Sequence, residues 1–153
     1  MILALFEPEI PQNTGTLVRL CKCFNITLGI IEPASFLLSD KMFKRAGMDY
    51  IDTSKILLYK NIEQLKNENQ NSRVILTDTK ATTKYFDIKY QPTDIILMGK
   101  ESSGVPDCIF KSADISVKIP MINGVRSLNV AVSASIVVSE AMRQFGYNFK
   151  KTF

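Results

Sequence analysis

The sequence predicts an α/β domain in which a mostly parallel sheet carries helices on both faces. Short, almost wholly apolar runs recur along the chain, as in strands that are covered on both sides. Segments with helical spacing of apolar residues alternate with these runs. At 153 residues and 46% hydrophobic content, the chain can bury a sizeable core. It contains no repeat, low-complexity tract or linker, so we expect a single domain over residues 1–153.

The first half of the chain predicts three strands and three helices. The apolar run from Met1 to Phe6 indicates a buried first strand. Pro8 and Pro11 then indicate an irregular segment, and Asn13 is well suited to cap a helix that begins at Thr14. The next predicted elements are a strand over Thr27–Ile31, a helix from Ser39-Asp40 to Gly47, a weaker strand over Lys55–Tyr59 and a short helix from Ile62 to Lys66.

The second half repeats one pattern, a buried strand followed by a loop of glycine and small polar residues. Strands are predicted over Arg73–Thr77, Ile95–Met98 and Ile115–Ile119, with a small extended segment over Tyr85–Tyr90. Pro106 suits the start of a short helix, and Ser127 is a natural N-cap for a closing helix that reaches about Phe145. Because open α/β sheets bind ligands outside the carboxyl ends of their strands, these loops predict a ligand site.

The loop after the Ile95–Met98 strand is the clearest part of that site. Gly99 and Gly104 enclose four polar residues, and glycine allows the backbone to approach a bound molecule closely. Neither this loop nor the one before Ser127 matches the glycine patterns that bind phosphates or dinucleotides.

Charge leaves two interpretations open. The chain has 19 Lys and Arg against 15 Asp and Glu, a net charge of +4, which suits either a nucleic-acid partner or a solvated basic surface. Lys41, Lys44 and Arg45 would share one helix face and could contact phosphates. Arg19 is the only charged residue between Asn13 and Cys21, close to a helix start that follows a strand, which favours a role in a site.

Several classes of protein are excluded by what the sequence lacks. There is no histidine, so His-assisted triads, His metal sites and His acid–base catalysis are excluded. Cys21, Cys23 and Cys108 are an odd number in a chain without a signal peptide, which predicts reduced thiols in a cytoplasmic protein. Cys21 and Cys23 would point to different helix faces, so we expect no metal. No apolar run approaches the ~20 residues of a membrane span.

Three motifs, in order, carry a resemblance to a known family. They are Asn13-Thr14-Gly15-Thr16-Leu17-Val18-Arg19, the stretch from Ile96 through Gly99-Lys100-Glu101-Ser102-Ser103-Gly104 to Pro106, and Ile119-Pro120-Met121 continuing to Ser127-Leu128-Asn129-Val130. With them the chain resembles the SPOUT superfamily of RNA methyltransferases. The segments Glu7–Gly15 and Glu140–Tyr147 resemble in particular its small single-domain YibK-like (TrmL) group, which 2′-O-methylates the wobble nucleotide of tRNA.

This resemblance implies a deep trefoil knot in the C-terminal third, S-adenosylmethionine as cofactor and a homodimer. It also implies tRNA as substrate, with cytidine or carboxymethylaminomethyluridine at the wobble position of leucine tRNAs. By motif, the residues that would hold the cofactor are Thr77, Gly99, Ile119, Met121, Ser127 and Leu128. Those that would surround the transferred methyl group and the target ribose are Asn13, Arg19, Glu101 and Asn129.

One residue departs from the pattern, and one role stays open. Ser139 stands where the YibK-like group leads us to expect an aromatic residue, which puts in doubt a dimer or anticodon contact at that position. The candidate bases for the ribose hydroxyl proton are Glu101, a water molecule and Arg19. Because a guanidinium is very hard to deprotonate, we favour Arg19 as an anchor that stabilises developing alkoxide charge.

Three alternatives to this function remain at the level of sequence. A related SPOUT enzyme could methylate ribosomal RNA or another tRNA nucleotide, although many such relatives carry an extra RNA-binding domain for which this chain has no room. A nucleotide-binding module would need the loops but not Arg19, and a noncatalytic RNA-binding protein would need the basic face but not the loops. Both sets are present, which favours the enzyme.

Overall fold

The computed structural model describes residues 1–36 and 56–146, in which seven strands form one parallel sheet. The α/β prediction is therefore confirmed. The strands are β1 (Ile2–Phe6), β2 (Thr27–Ile31), β3 (Ile56–Tyr59), β4 (Val74–Thr77), β5 (Thr83–Lys84), β6 (Ile95–Met98) and β7 (Ile115–Lys118). The described helices are α1 (Pro11–Phe24), α2 (Ile62–Glu68), α3 (Asp107–Ser112) and α4 (Val130–Gln144).

Strand periodicity divides the core into two layers. Leu3 and Leu5 of β1 pack with α1 and α4 on one face of the sheet, in the layer that contains Leu17 and Ala134. The alternate residues of β1 pack on the other face, in the layer that α2 and α3 cover. Because both faces are covered, the central strands read as continuous apolar runs, which is why the sequence revealed them.

The strand order brings together loops that are far apart in the chain. The sheet runs β3-β2-β1-β6-β4-β7-β5, so β4 lies between β6 and β7. Thr77 at the end of β4 is in register with Met98 on one side and with Val117 on the other. In a parallel sheet these carboxyl ends share one edge, so the loops after β4, β6 and β7 meet there.

The first helix begins earlier than the sequence suggested. Helix α1 starts at Pro11, and Ile10 stands at the N-cap without a side-chain hydrogen bond to the helix. The prediction of a start at Thr14 capped by Asn13 was wrong. Proline is favourable at the first helical position, because its fixed φ suits the helix and the backbone N–H that it lacks would have no partner there. Asn13 is instead buried in the first turn.

The last helix begins later than predicted. Asn129, not Ser127, is its N-cap, with Oδ1 accepting from the backbone N–H of Ala131 at 2.8 Å and of Val132 at 3.3 Å. Both side chains are good caps in principle, so composition alone could not choose between them. The predicted extended segment over Tyr85–Tyr90 was also misplaced, since the described strand is β5 and a turn follows it.

An ion pair between buried Asp94 and partly exposed Arg73 joins the starts of β4 and β6, at the opposite edge from those loops. Asp94 is fully buried and accepts from Arg73 Nε at 2.9 Å, from Arg73 Nη2 at 2.8 Å and from the backbone N–H of Gln91 at 2.8 Å. Because Asp94 hydrogen-bonds this guanidinium, the pKa of Arg73 is raised. Paired in this way, the buried carboxylate avoids the cost of an isolated buried charge.

Some predictions concern more of the chain than the structure describes. The helix starting at Ser39-Asp40, with Lys41, Lys44 and Arg45, lies outside the described residues. The single domain over residues 1–153 and the trefoil knot stay predictions. Across residues 1–36 and 56–146, no helix is long and apolar enough to cross a membrane.

Candidate active site

A cleft of about 560 Å³ opens where the loops after β4, β6 and β7 meet. This volume is in the range of sites that hold a molecule of cofactor size. The cleft brings together nine of the ten residues that the motifs placed around cofactor and ribose: Asn13, Thr77, Gly99, Glu101, Ile119, Met121, Ser127, Leu128 and Asn129. Three motifs separated by many residues in sequence thus contribute to one cavity.

Glu101, which lines the cleft, is the centre of a hydrogen-bond network. Its carboxylate accepts from the backbone N–H groups of Glu9 at 2.9 Å and Ile10 at 3.2 Å, and from Asn13 Nδ2 at 3.0 Å. The first turn of α1 has no acidic residue of its own. Glu101 therefore supplies, from the β6 loop, the negative charge that the start of a helix favours.

The network continues through two amides into the last helix. Asn13 donates to Glu101 through Nδ2, and its Oδ1 accepts from Asn129 Nδ2 at 2.9 Å. Asn129 Oδ1 in turn caps α4. These contacts fix the orientation of both amides, and they connect the β6 loop, α1 and α4 through side chains alone. We call Glu101, Asn13 and Asn129 the amide–carboxylate relay.

A second carboxylate, that of Glu9, joins the segment before α1 to the β6 loop in the opposite direction. Glu9 accepts from the backbone N–H and from the hydroxyl of Ser102, both at 2.9 Å. The pKa of Glu9 is lowered, first by the hydroxyl hydrogen bond and then by the backbone one. Lys100 pairs with Glu7, and the hydrogen bond between them raises the pKa of Lys100. The segment before α1 and the β6 loop are thereby joined from both sides.

The structure gives a reason for glycine at position 99 that the sequence did not reveal. The backbone groups of Lys100 and Gly104 pair with each other, at 2.9 and 3.0 Å. A Cβ on Gly99 would lie 2.6 Å from the carbonyl carbon of Gly104, closer than any real Cβ contact. Glycine at this position is needed for the loop to close on itself, in addition to any approach by a ligand.

Polar groups along the cleft suit a bound molecule with several donors and acceptors. The hydroxyl of Thr77 is buried and has no hydrogen-bond partner in the described part of the chain. Asp78, Lys80 and Arg126 also line the cleft, although they are not among the site residues predicted from the motifs. The signal available for Asp78 was its position immediately after a buried strand. An unsatisfied buried hydroxyl beside a glycine loop is a feature that a ligand would complete.

Arg19 is the one predicted site residue among those described that does not line this cavity. Arg19 lies exposed on α1 and does not line the cleft of its own chain. Lys41, Lys44 and Arg45 lie outside the described residues. The described residues also contain no group of three or more Cys, Asp or Glu side chains placed to hold a metal ion.

A second, more open groove lies between α1 and α4. Its volume is about 870 Å³. Val132 on α4 is 48% exposed there, and Leu20 and Phe24 of α1 line the same groove. Ser139, which stands in place of the expected aromatic residue, also lines it. Apolar side chains are thus available on the outer surface of both helices.

Comparisons with known proteins agree with this arrangement. A protein of Beijerinckia indica subsp. indica named tRNA (cytidine(34)-2'-O)-methyltransferase is 46% identical, over 95% of this chain and 92% of that protein. A solved structure described as giving insights into the 2-OH methylation of C/U34 on tRNA has a TM-score of 0.88 and 33% identity, over 95% of each chain. The SpoU methyltransferase AviRb from Streptomyces viridochromogenes, solved with AdoMet, shares the fold, with a TM-score of 0.83 and 20% identity over 95% of this chain and 60% of AviRb.

The family profile covers the same elements that build the cleft. The profile of the SpoU rRNA Methylase family matches residues 1–139, from β1 into α4. This span contains all three motifs, and the cleft in which they meet is built wholly within it. The resemblance inferred from those motifs is confirmed: the chain belongs to the SpoU methylase family of RNA methyltransferases.

Proposed function

We propose that this protein transfers a methyl group from S-adenosylmethionine to the ribose 2′-hydroxyl of nucleotide 34 in tRNA. The observation that carries the proposal is the convergence of the three motifs in one cleft, in a chain 46% identical to a relative named for this reaction. The solved structure concerned with C/U34, which covers 95% of this chain at 33% identity, supports the same acceptor.

The cleft fits the cofactor on chemical grounds. It combines the closely paired glycine loop, the unpartnered Thr77 hydroxyl and apolar side chains such as Ile119 and Leu128. When bound, S-adenosylmethionine supplies an activated methyl group for in-line displacement by an oxygen nucleophile. The chain then has to hold the donor and orient the acceptor hydroxyl, which are the main sources of rate in such a transfer. We assign the first task to Thr77, Gly99, Ile119, Met121, Ser127 and Leu128.

The relay is better suited to positioning than to proton transfer. Both Glu101 oxygens already accept N–H donors, so taking a proton would remove the charge that strengthens these hydrogen bonds at the start of α1. We therefore propose that Glu101, Asn13 and Asn129 hold the two helix starts in place around the acceptor site. A water molecule remains the candidate base.

We propose that Arg19 serves the acceptor RNA. A guanidinium stays charged and can form paired hydrogen bonds to phosphate, so it can hold the substrate and stabilise a developing alkoxide. Because Arg19 does not line the cleft of its own chain, this role fits best if a second chain lies against α1.

We further propose a homodimer that forms through α1 and α4. The groove between them, with the apolar side chains of Leu20, Phe24 and Val132 among its lining, supports this interface. Two chains would also enlarge the basic surface available to a folded RNA of many charges.

The test is methylation of tRNA by the pure protein with isotopically labelled S-adenosylmethionine, followed by mass spectrometry of the nucleosides. We expect label on the 2′-oxygen of cytidine or carboxymethylaminomethyluridine 34 of leucine tRNAs. A leucine tRNA that already carries a 2′-O-methyl group at nucleotide 34 is the matched control and should accept no label. Label in ribosomal RNA or at another tRNA nucleotide, with none at nucleotide 34, would contradict the proposed acceptor.

A further inference from the structure

One carboxylate oxygen in the cleft has no hydrogen-bond donor among the residues that the structure describes. Asp78 and Glu101 are the two acidic residues that line the cavity among the described residues. Glu101 already accepts three N–H donors. Asp78 Oδ1 accepts from the backbone N–H of Lys80 at 2.8 Å, whereas Oδ2 has no donor from the described residues. Asp78 Oδ2 is therefore the carboxylate oxygen left for a ligand.

The surroundings of Asp78 keep that oxygen accessible. A Cβ built on Gly104 would lie 3.2 Å from Asp78 Oδ2, so any side chain there would crowd the carboxylate. Gly104 also has φ +70°, a conformation that favours glycine. The nearest cation along the chain is directed elsewhere, since Lys80 Nζ pairs with Asp107 at 3.5 Å.

A second unsatisfied group lies next to it in sequence. The hydroxyl of Thr77 is buried without a partner, at the carboxyl end of β4. Two consecutive residues thus present hydrogen-bonding atoms that the described protein leaves unused. Buried polar atoms are rarely left so, which indicates that a polar ligand completes this part of the cleft.

We propose that Asp78 binds the ribose of the cofactor by accepting hydrogen bonds from its 2′- and 3′-hydroxyls. This inference rests on the proposed function, because it assumes S-adenosylmethionine as the ligand. Vicinal hydroxyls offer two donors side by side, which a carboxylate accepts well. A carboxylate placed at the sulfonium instead would favour the charged donor over a transition state in which that charge is being lost, and so would slow transfer. Away from the sulfonium a carboxylate aids binding without that cost, and the ribose offers two adjacent hydroxyl donors to the single free oxygen and its neighbour.

The test measures binding, not activity. Calorimetry compares S-adenosylhomocysteine with its 2′-deoxy and 3′-deoxy ribose analogues, for the wild type, Asp78→Asn and Asp78→Ala. We expect the wild type to lose about tenfold to a hundredfold in affinity when a hydroxyl is removed, as for a hydrogen bond to a charged group. Asp78→Ala should lose a similar factor for S-adenosylhomocysteine and then discriminate little between the analogues. Asp78→Asn keeps an acceptor for the Lys80 N–H and should lie between.

The matched control is Asp87→Asn, which removes an exposed carboxylate in the turn after β5, outside the cleft lining. Its affinity should equal that of the wild type. If both Asp78 variants bind S-adenosylhomocysteine as the wild type does, or still discriminate fully against the deoxy analogues, the assignment to ribose is wrong. 5′-Methylthioadenosine keeps the ribose but lacks the amino acid. If the wild type and the Asp78 variants bind it with equal affinity, Asp78 contacts the α-ammonium and the assignment to ribose is also wrong. Failure of the wild type to bind S-adenosylhomocysteine at all would instead contradict the proposed function.

Discussion

Glu101 illustrates at the scale of one residue how hydrogen-bond geometry limits chemical role. An acidic residue in a methyltransferase cleft suggests a general base, and sequence alone left that role open. In the structure its oxygens accept from Glu9 N, Ile10 N and Asn13 Nδ2. A carboxylate that takes a proton loses its charge, and here that would weaken three hydrogen bonds at the start of α1.

We therefore expect Glu101→Gln to act through position and stability. Glutamine has one acceptor oxygen, and its NH₂ group would face at least one N–H donor, so the free energy of unfolding should fall by about 1–3 kcal/mol. Methyl transfer should fall while the remaining activity keeps the pH profile of the wild type. Urea denaturation and rates between pH 5 and about 9 check this, a window that spans the usual range of enzyme bases. Glu63→Gln, at an exposed position of α2, is the control. Loss of the acid limb of the profile, with stability unchanged, would restore Glu101 as the base.

Arg19 gives a separate expectation, because it lies outside the cofactor cleft. Arg19→Ala should leave the affinity for S-adenosylhomocysteine within a few-fold. Single-turnover methylation should fall by roughly two or more orders of magnitude, the loss expected when a charged transition-state contact is removed. Lys22→Ala, another exposed cation of α1, is the control. Transfer at the wild-type rate would show that Arg19 is only a surface arginine.

At the scale of elements, the strands were predictable and the helix starts were not. A buried parallel strand has an apolar sequence over its whole length, so β1, β2, β4 and β6 could be located to within a residue or two. A helix start depends on which of several suitable residues is used. Asn129, and not Ser127, is the N-cap of α4, and its Nδ2 also donates to Asn13 Oδ1. This contact spans 116 residues of sequence, so no local sequence pattern contains it.

The loop after β6 gives a prediction at the same scale. In Gly99→Ala the new Cβ would overlap backbone atoms of Gly104, which cannot move aside as a flexible side chain can. We expect the pairing of Lys100 with Gly104 to open and cofactor affinity to be lost first. Calorimetry with S-adenosylhomocysteine and urea denaturation would measure both effects. Ser103→Ala, an exposed change in the same loop, should leave stability within about 0.5 kcal/mol. Wild-type affinity in Gly99→Ala would show that the loop tolerates the side chain.

At the scale of the whole molecule, the site could be predicted only through family resemblance. Loops after strands predict that a ligand edge exists. They do not predict that β4 lies between β6 and β7, because strand order depends on how the chain crosses the sheet. That order is what makes Thr77, Gly99 and Ile119 neighbours. The motifs identified these residues as one site because relatives already share the arrangement. Asp78 is not among the motif residues, and its position after a buried strand marked it only as one loop residue among several, until the cleft showed that it lines the site.

The last prediction concerns assembly. If α1 and α4 form a dimer interface, Val132→Glu should place a charge in an apolar contact and yield monomers at micromolar concentration. In one chain the same change should cost little stability, since Val132 is 48% exposed. Sedimentation velocity measures the assembly, and cofactor binding shows whether the fold is intact. Leu58→Glu is the matched control, because Leu58 is 50% exposed on the edge strand β3, away from the groove.

If Arg19 reaches the acceptor from a second chain, monomeric Val132→Glu should bind S-adenosylhomocysteine and fail to methylate tRNA. A monomeric variant with full activity would mean that one chain contains the whole site, and that Arg19 acts within its own chain or not at all.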